Sequence, residues 1–578
     1  MAVKASQKLG EFSAQNISNT ALSYAKLEHN PGELLDIIAR ETLAKLATFT
    51  PQALSNTVWA FAKLEVLNVQ LMDAVAKEAL RKLYSFNAQN IANTVWAYAN
   101  LGYESPALFD AIGVEAQRSM ERFSPQNVSN TLWAYAKVNK QMPSLFELAA
   151  RHATFSMQTF QPQSMANMMW AFATLYCLPD ERFITSLCAH ALALLSDFSP
   201  QNISNTIWAL GTLKYRNADA LMHAVACEMV KRLRSGEAEK AFSRQHLANT
   251  LWGYATLDCD PGQDMLSTLA DAMARRAGEC NPQEVSNTVW AFAKLGHYNE
   301  ALMDTFAREA ESRIWEFSQQ NLANMAWAFG KLSHFAPSLL DAVAKQALSM
   351  AQELSLQHVT NILWTYASFL HPVPGFYEAL LAEIRRRLAQ EQFNAQQLSN
   401  MLWSLCILQR CTQDEWRELL TQFGSLGIAP GDLPEEALTQ VYQSYLLMLV
   451  DQPGVDLAMP AGLRETAKST WVASRKNVRV SWLHKDVSRV LKEMGLDHDI
   501  EHVTQDQLFS VDISLKGEQV AIEADGPHHF TSNTRMPLGE MKARARLLNA
   551  RGWQVISVPF FNWTGHTDAH HKALLRQV

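Results

Sequence analysis

One motif returns eleven times along the chain: usually Phe, then a capping residue, x, Gln, x, an aliphatic, Ser or Ala, Asn, Thr or Met, x, Trp. Its asparagines run from Asn19 to Asn400 in steps of 37 to 39 residues, with a single step of 44. Ten units carry the tryptophan, at 59, 96, 133, 170, 208, 252, 290, 327, 364 and 403, and the first unit has Leu22 there, as a terminal cap would. A period of this length holds two helices and two turns. Neither helix can enclose a core alone, so each unit must bury its apolar face against its neighbours, and the array is predicted to be an α-solenoid.

Within a unit, Phe123-Ser124-Pro125-Gln126-Asn127 sets a hydroxyl cap ahead of a proline suited to the first helical turn, and apolar positions continue through Val138. This segment is helix A. The equivalent caps are Ser13, Thr50, Asn87, Ser199, Ser243, Asn281, Ser318, Ser355 and Asn394, and only Gln161 departs. Segments such as Leu71 to Leu80, with charges between apolar residues at helical spacing, are predicted as helix B. On helix A, Val128, Leu132 and Tyr135 form one core face, and Ser129, Trp133 and Ala136 form another. The remaining stripe of Asn127, Asn130, Ala134 and Lys137 is expected to line the inner wall, small Ala134 letting a ligand approach. The recurring Asn reads either as a buried amide ladder between units or as a ligand contact. Lys26, Lys63, Lys137, Lys294 and Lys331 end the stripe, as solvated helix ends or as phosphate contacts.

The residue after Gln varies where its neighbours do not: Asn16, Ala53, Asn90, Asn127, Ser164, Asn202, His246, Glu284, Asn321, His358 and Gln397. A fixed frame with one exchangeable polar group per unit is what modular base reading requires, each group meeting one base edge. Ordinary surface variation gives the same pattern.

The run from Phe123 to Lys137 resembles the octotricopeptide repeat, and the resemblance covers about residues 11 to 410. It implies a mainly α fold, a right-handed-type α-solenoid of about eleven helical pairs. It also implies that the inner wall binds single-stranded RNA selectively, on the order of ten nucleotides at one base per repeat. The family processes, stabilises or translates transcripts in the chloroplast or mitochondrion, so organellar ribonucleoprotein partners are implied as well. The first repeat starts by Phe12, too early for an Arg- and Ser-rich transit peptide ahead of it, so the organelle rests on the resemblance alone.

Beyond Gln409 the Trp motif disappears. Glu435 to Val450 and Leu463 to Ala473 read as helices between Pro-Gly breaks at 430–431 and 453–454, forming a degenerate closing unit and linker. A helix around Lys485 to Met494 follows, then alternating runs at Phe509 to Ser514 and Gln519 to Ala524, a helix at Leu538 to Ala550 and a strand at Trp553 to Val558. The expected division is 1–410 for the repeats, 411–476 for the closing helices and linker, and 477–578 for a small α/β domain.

Val511-Asp512-Ile513, Ile522 to Phe530, Leu538-Gly539 and Lys542-Ala543-Arg544 resemble the RAP domain, an RNA-binding family with a restriction-endonuclease-like fold. The resemblance implies metal-assisted phosphodiester cleavage. Asp512 and Glu523 would hold a divalent cation such as Mg2+, and His528 or His529 would move a proton. Nucleases of this fold place Lys two residues after the Glu. Here that position is Asp525, which leaves Lys542 as a migrated cation, or makes Asp525-Gly526-Pro527 a tight turn within a structural relic. In a purely binding role, His528, His529 and the helix of Lys542, Arg544 and Arg546, with Arg551, contact phosphates, while Phe530 or Trp563 offers a stacking face.

Fifty basic against 57 acidic residues give −7, which excludes coating of nucleic acid by bulk charge. From Arg475 onward 14 basic and 12 acidic residues give +2, leaving −9 for the rest, a balance that keeps a protein-binding scaffold open as the alternative function. The seven cysteines show no Cys-x-x-Cys pairing and read as reduced core thiols. No run of about 18 apolar residues is unbroken, so no membrane partner is expected.

Overall fold

The computed structural model describes residues 9–235, 241–388, 391, 393–474 and 480–576. It forms two compact units, Met1–Met273 and Ala274–Val578. The expected boundary at 476/477 and the first eight residues lie outside the described residues.

In the first unit the A helices Ala14–Lys26, Pro51–Lys63, Ala88–Asn100, Pro125–Lys137, Pro162–Thr174, Pro200–Thr212 and Arg244–Leu257 lie side by side in one close layer. B helices such as Val69–Lys82 and Pro106–Ser119 alternate with them and form the second layer. The solenoid thus follows from the repeat. Every predicted cap forms: the side chains of Ser13, Thr50, Asn87, Ser124, Ser199 and Ser243 each accept from the backbone N–H three residues on, and Gln161 makes no such bond. Each cap contributes about 1 kcal/mol. The A helices approach so closely that a Cβ on Gly253 would lie 2.6 Å from the carbonyl oxygen of Ile207, which reserves that position for glycine.

Two sets of buried bonds lock the layers. The Tyr135 hydroxyl donates to the Phe109 carbonyl at 2.5 Å, and Tyr98 to Met72 at 2.6 Å, tying each A helix to the B helix of the preceding unit. At the end of several B helices a cation or imidazole turns back onto the carbonyl just before its own A helix: Lys82 on Phe49 at 2.8 Å, His152 on Phe123 at 3.1 Å and Arg232 on Phe198 at 2.6 Å. These groups stabilise carbonyls that no helix satisfies.

The second unit continues with A helices Pro282–Lys294, Gln319–Lys331, Leu356–Phe369 and Ala395–Ile407, then helices Gln413–Ser425, Glu435–Asp451 and Leu463–Ser474. An α/β region follows: α1 (Trp482–Glu493), β1 (His498–Val503), β2 (Ser510–Leu515), β3 (Val520–Asp525), α2 (Gly539–Asn549), β4 (Gln554–Pro559) and α3 (Asp568–Leu575). The sheet order is β1-β2-β3-β4; the first two pairings are antiparallel and β3 runs parallel to β4, as a connection through α2 requires. Val487, Leu491, Ile513, Ile522, Val558 and Trp563 fill its core.

The segment leading into α2 docks on the last repeats. Ser532 N–H donates to the Ser333 carbonyl at 2.7 Å, and Asn533 exchanges two bonds with the Phe335 backbone at 2.9 and 3.0 Å. Arg546 reaches the Cys406 carbonyl at 3.0 Å and Asp451 at 3.3 Å. No described helix is long and apolar enough to cross a membrane.

Candidate nucleic-acid interface and carboxylate centre

An α-helix turns about 100° per residue, so Gln126, Asn130, Trp133 and Lys137 fall within one narrow arc, while Asn127 and Ala134 lie roughly a quarter turn away. The structure follows this geometry. Gln126 and Lys137 are exposed, Asn130 and Trp133 half-buried, and Ala134 fully buried against the neighbouring A helix. Two expectations are corrected here. Trp133 belongs to the accessible stripe rather than to the core face of Ser129 and Ala136, and Ala134 cannot admit a ligand. The same arc repeats from Gln15, Asn19 and Lys26 onward, and in no unit does it contain an acidic residue.

The recurring Asn is half-buried from Asn56 to Asn400 and exposed at Asn19, rather than a buried ladder. Asn324, Asn361 and Asn400 each accept from the Gln four residues earlier in the same helix, at 2.7, 2.8 and 2.9 Å. In the first unit the indoles form a ladder of their own: Trp59, Trp96, Trp133 and Trp170 follow one another with ring centroids 6.1, 6.4 and 6.2 Å apart and planes inclined by 33°, 31° and 32°. Trp208 and Trp252 repeat the arrangement at 6.4 Å.

The variable row has a different task. Asn90, Asn127, Asn202, His246, Glu284, Asn321, His358 and Gln397 are the third residues of their helices, and each accepts from the backbone N–H of its own cap. Asn90, Ser164, Asn202 and Glu284 are buried. Several also reach the preceding unit, Asn90 Nδ2 donating to Ser55 Oγ at 3.1 Å and Asn321 Nδ2 to Ser286 Oγ at 2.9 Å. Asn16 stands exposed and Ala53 buried. The expected row of free side chains facing a ligand is therefore a row of capping residues, polar because the cap needs an acceptor. Of the lysines, Lys26, Lys63, Lys137, Lys294 and Lys331 are all exposed, and Lys63 pairs with Glu28 at 2.9 Å.

In the α/β region, Asp512 on β2 and Glu523 on β3 face one another as expected, but cations of the chain itself occupy them. Arg544 on α2 holds both oxygens of Glu523 at 3.1 Å. His484 on α1 lies with Nε2 2.8 Å from Asp512 and Nδ1 3.3 Å from Glu501, which occupies a left-handed backbone position at φ 55°. Asp512 also accepts from the Ala524 N–H at 2.8 Å. Burial, against the pull of Arg544 and with repulsion from Asp512 and Asp525, pushes Glu523 up to about 7. Burial also pushes Asp525 up to about 6, against the 2.5 Å bond from Ser557. Burial opposes charging of His484, yet Asp512 and Glu501 lift it above the ordinary imidazole value.

Asp512 and Glu523 do not fit a divalent cation as arranged, because Arg544 takes both Glu523 oxygens and Asp512 bridges to His484. His484, Glu501 and Asp512 do bring ligand atoms within 4.8 Å of one another, with His484 held there between two carboxylates. Lys542 is not the migrated lysine: it points away, lining a cavity of about 330 Å³ with Tyr377, Arg410 and Arg546. Arg544 is the cation at the acids, and sequence spacing alone did not single it out. The phosphate face expected of α2 is also taken, since Arg546 pairs with Asp451 and Arg551 with Asp506 at 2.7 Å. Phe530 and Trp563 are buried, Trp563 stacked on His571 at 3.9 Å, so neither offers a stacking face. His528 is exposed, and burial together with His528 holds half-buried His529 down to about 4.

The RNA-editing substrate-binding complex 6 protein family matches residues 1–258 and again residues 220–415, most of the chain. The chain belongs to that family. The overlapping double match is what an array of equivalent units produces. The RAP domain family matches residues 522–578, from Ile522 in β3 through α3. A chloroplastic RAP domain-containing protein of Oryza sativa subsp. japonica is 29% identical over 178 residues, which is 30% of this chain and 27% of that protein. Among solved structures, a homology model of the full-length AP-3 complex in an intermediate open conformation aligns with TM-score 0.29 at 11% identity, covering 81% of this chain and 86% of that one. The pentatricopeptide repeat protein PPR10 from maize aligns with TM-score 0.17 at 11% identity, covering 81% and 96%.

Proposed function

We propose that the helical repeats bind single-stranded RNA, on the order of ten nucleotides at one per repeat, in the manner expected of an octotricopeptide-type array. The carrying observation is the accessible arc of the A helices: an exposed Gln with a half-buried Asn one turn on in the nine units from Gln52 to Asn361, and Lys at its end in five units, without an acid in any unit. Amide pairs supply donors and acceptors for base edges, and an acid-free stripe on a chain of net −7 is where phosphates can approach. The family match and the RAP match support an RNA role, and the chloroplastic relative supports a chloroplast or mitochondrion as its place, where processing, stabilisation or translation of transcripts would use it.

The division into repeats at 1–410, closing helices at 411–476 and a RAP domain at 477–578 is part of this proposal. The RAP domain is not the cutting centre, because Arg544 and His484 compensate the acids a metal would need, and exposed His528 and Lys542 are what it offers to an accessory binding role. The test is binding of a random 12-nucleotide RNA pool to the full chain over a salt series. Binding that weakens with salt, and falls further in the Gln126→Ala/Asn130→Ala variant, supports the reading. A chain that binds no single-stranded RNA, and instead purifies with a stoichiometric protein, overturns it in favour of a scaffold.

A further inference from the structure

We infer that the indoles of Trp59, Trp96, Trp133 and Trp170 form a stacking platform for the bases of single-stranded RNA, one base entering at each successive pair of rings. The inference rests on the RNA reading above and names its contact mode.

A residue that only filled the seam between A helices would be fully buried, as Val128 and Leu132 are. These indoles stay half-buried on the accessible arc instead. Each stands one turn from Asn on one side and one turn from the end of its helix on the other, where Lys63 and Lys137 occur. Consecutive ring centroids are 6.1 to 6.4 Å apart with planes inclined by 31° to 33°, so a base entering between two rings must turn them toward parallel and open them to about twice the ~3.4 Å step between stacked bases. The close A layer holds the rings near that separation, which preorganises the platform. Stacking is tolerant of base identity, so the indoles supply affinity while the Asn and Gln amides, one and two turns away, meet the base edges.

The test uses the full chain and the same random 12-nucleotide pool, single-stranded or annealed to its complement. Each lost stacking contact weakens binding between about fivefold and a hundredfold. The Trp96→Leu/Trp133→Leu/Trp170→Leu variant is therefore expected to bind at least a hundredfold more weakly at an unchanged helical content, and the corresponding Phe variant, which keeps an aromatic face, to recover most of that loss. The wild-type chain should show quenched indole fluorescence on binding and should prefer the single strand to the duplex at least tenfold. Wild-type affinity in the Leu variant, or binding without quenching, overturns the platform and leaves the RNA reading standing. A wild-type chain that binds no single-stranded RNA overturns both.

Discussion

The repeats and the α/β region handle polar groups in opposite ways. Along the accessible arc of the A helices the polar side chains present in every unit are neutral amides, half-buried or exposed. In the α/β region they are charged, buried and singular, with Glu523 and Asp512 each answered by a cation from a neighbouring helix. A neutral accessible group costs little to leave unpartnered and is free for a ligand, whereas a buried carboxylate must be compensated before the fold is stable. The contrast assigns recognition to the repeats and structural balance to the acids.

The largest expected effect tests that balance. Arg544→Ala leaves Glu523 buried beside Asp512 and Asp525 and should destabilise the α/β region by about 3 kcal/mol, read by chemical denaturation. No loss of stability would mean that the acids are free to serve another partner. Next is Tyr135→Phe, which strips the Phe109 carbonyl of its buried donor and should cost about 1–2 kcal/mol in the first unit only. The pH response sharpens the comparison further. Glu523 and Asp525 hold protons up to about 7 and about 6, above their unfolded values of 4.5 and 3.8, so the native state binds protons that the unfolded chain has released. Their contribution is fully present below about pH 4 and is lost as pH rises through about 7. His529, held down to about 4, works in the opposite sense, so the readout is the difference between chains. Melting of Glu523→Gln should fall less steeply than wild type between pH 4.5 and 7. The smallest effect belongs to the caps: Ser124→Ala should cost about 1 kcal/mol and leave RNA affinity unchanged.

Much of the fold was legible because the period is written in chemistry that acts locally. The caps, the proline starts and the helix pairs follow from residues three or four apart, and β2, β3 and β4 stand out as short strand-like runs, although β3 is buried at every position rather than alternating. β1 was missed, since His498-Asp499-Ile500-Glu501-His502-Val503 carries polar side chains on both faces at the sheet edge. The site was less legible. Polar variability after Gln looks the same whether it serves a base edge or a helix cap, and only the bond from the cap N–H separates the two. Trp133 was placed in the core by its hydrophobicity, although the 100° step alone sets it beside Gln126 and Asn130. The Glu523–Arg544 pair joins residues 21 apart across a sheet and a helix, and no local spacing announces it.

The most direct test of the account compares the two rows on adjacent flanks of the same helices. Affinity for a random single-stranded RNA pool is measured for the full chain with Gln89, Gln126 and Gln201 changed to Ala, and separately with their neighbours Asn90, Asn127 and Asn202 changed to Ala. The account predicts that the Gln variant binds RNA at least tenfold more weakly at wild-type stability, while the Asn variant melts earlier yet binds with wild-type affinity and base preference. A shifted base preference in the Asn variant, with no loss in the Gln variant, would contradict it.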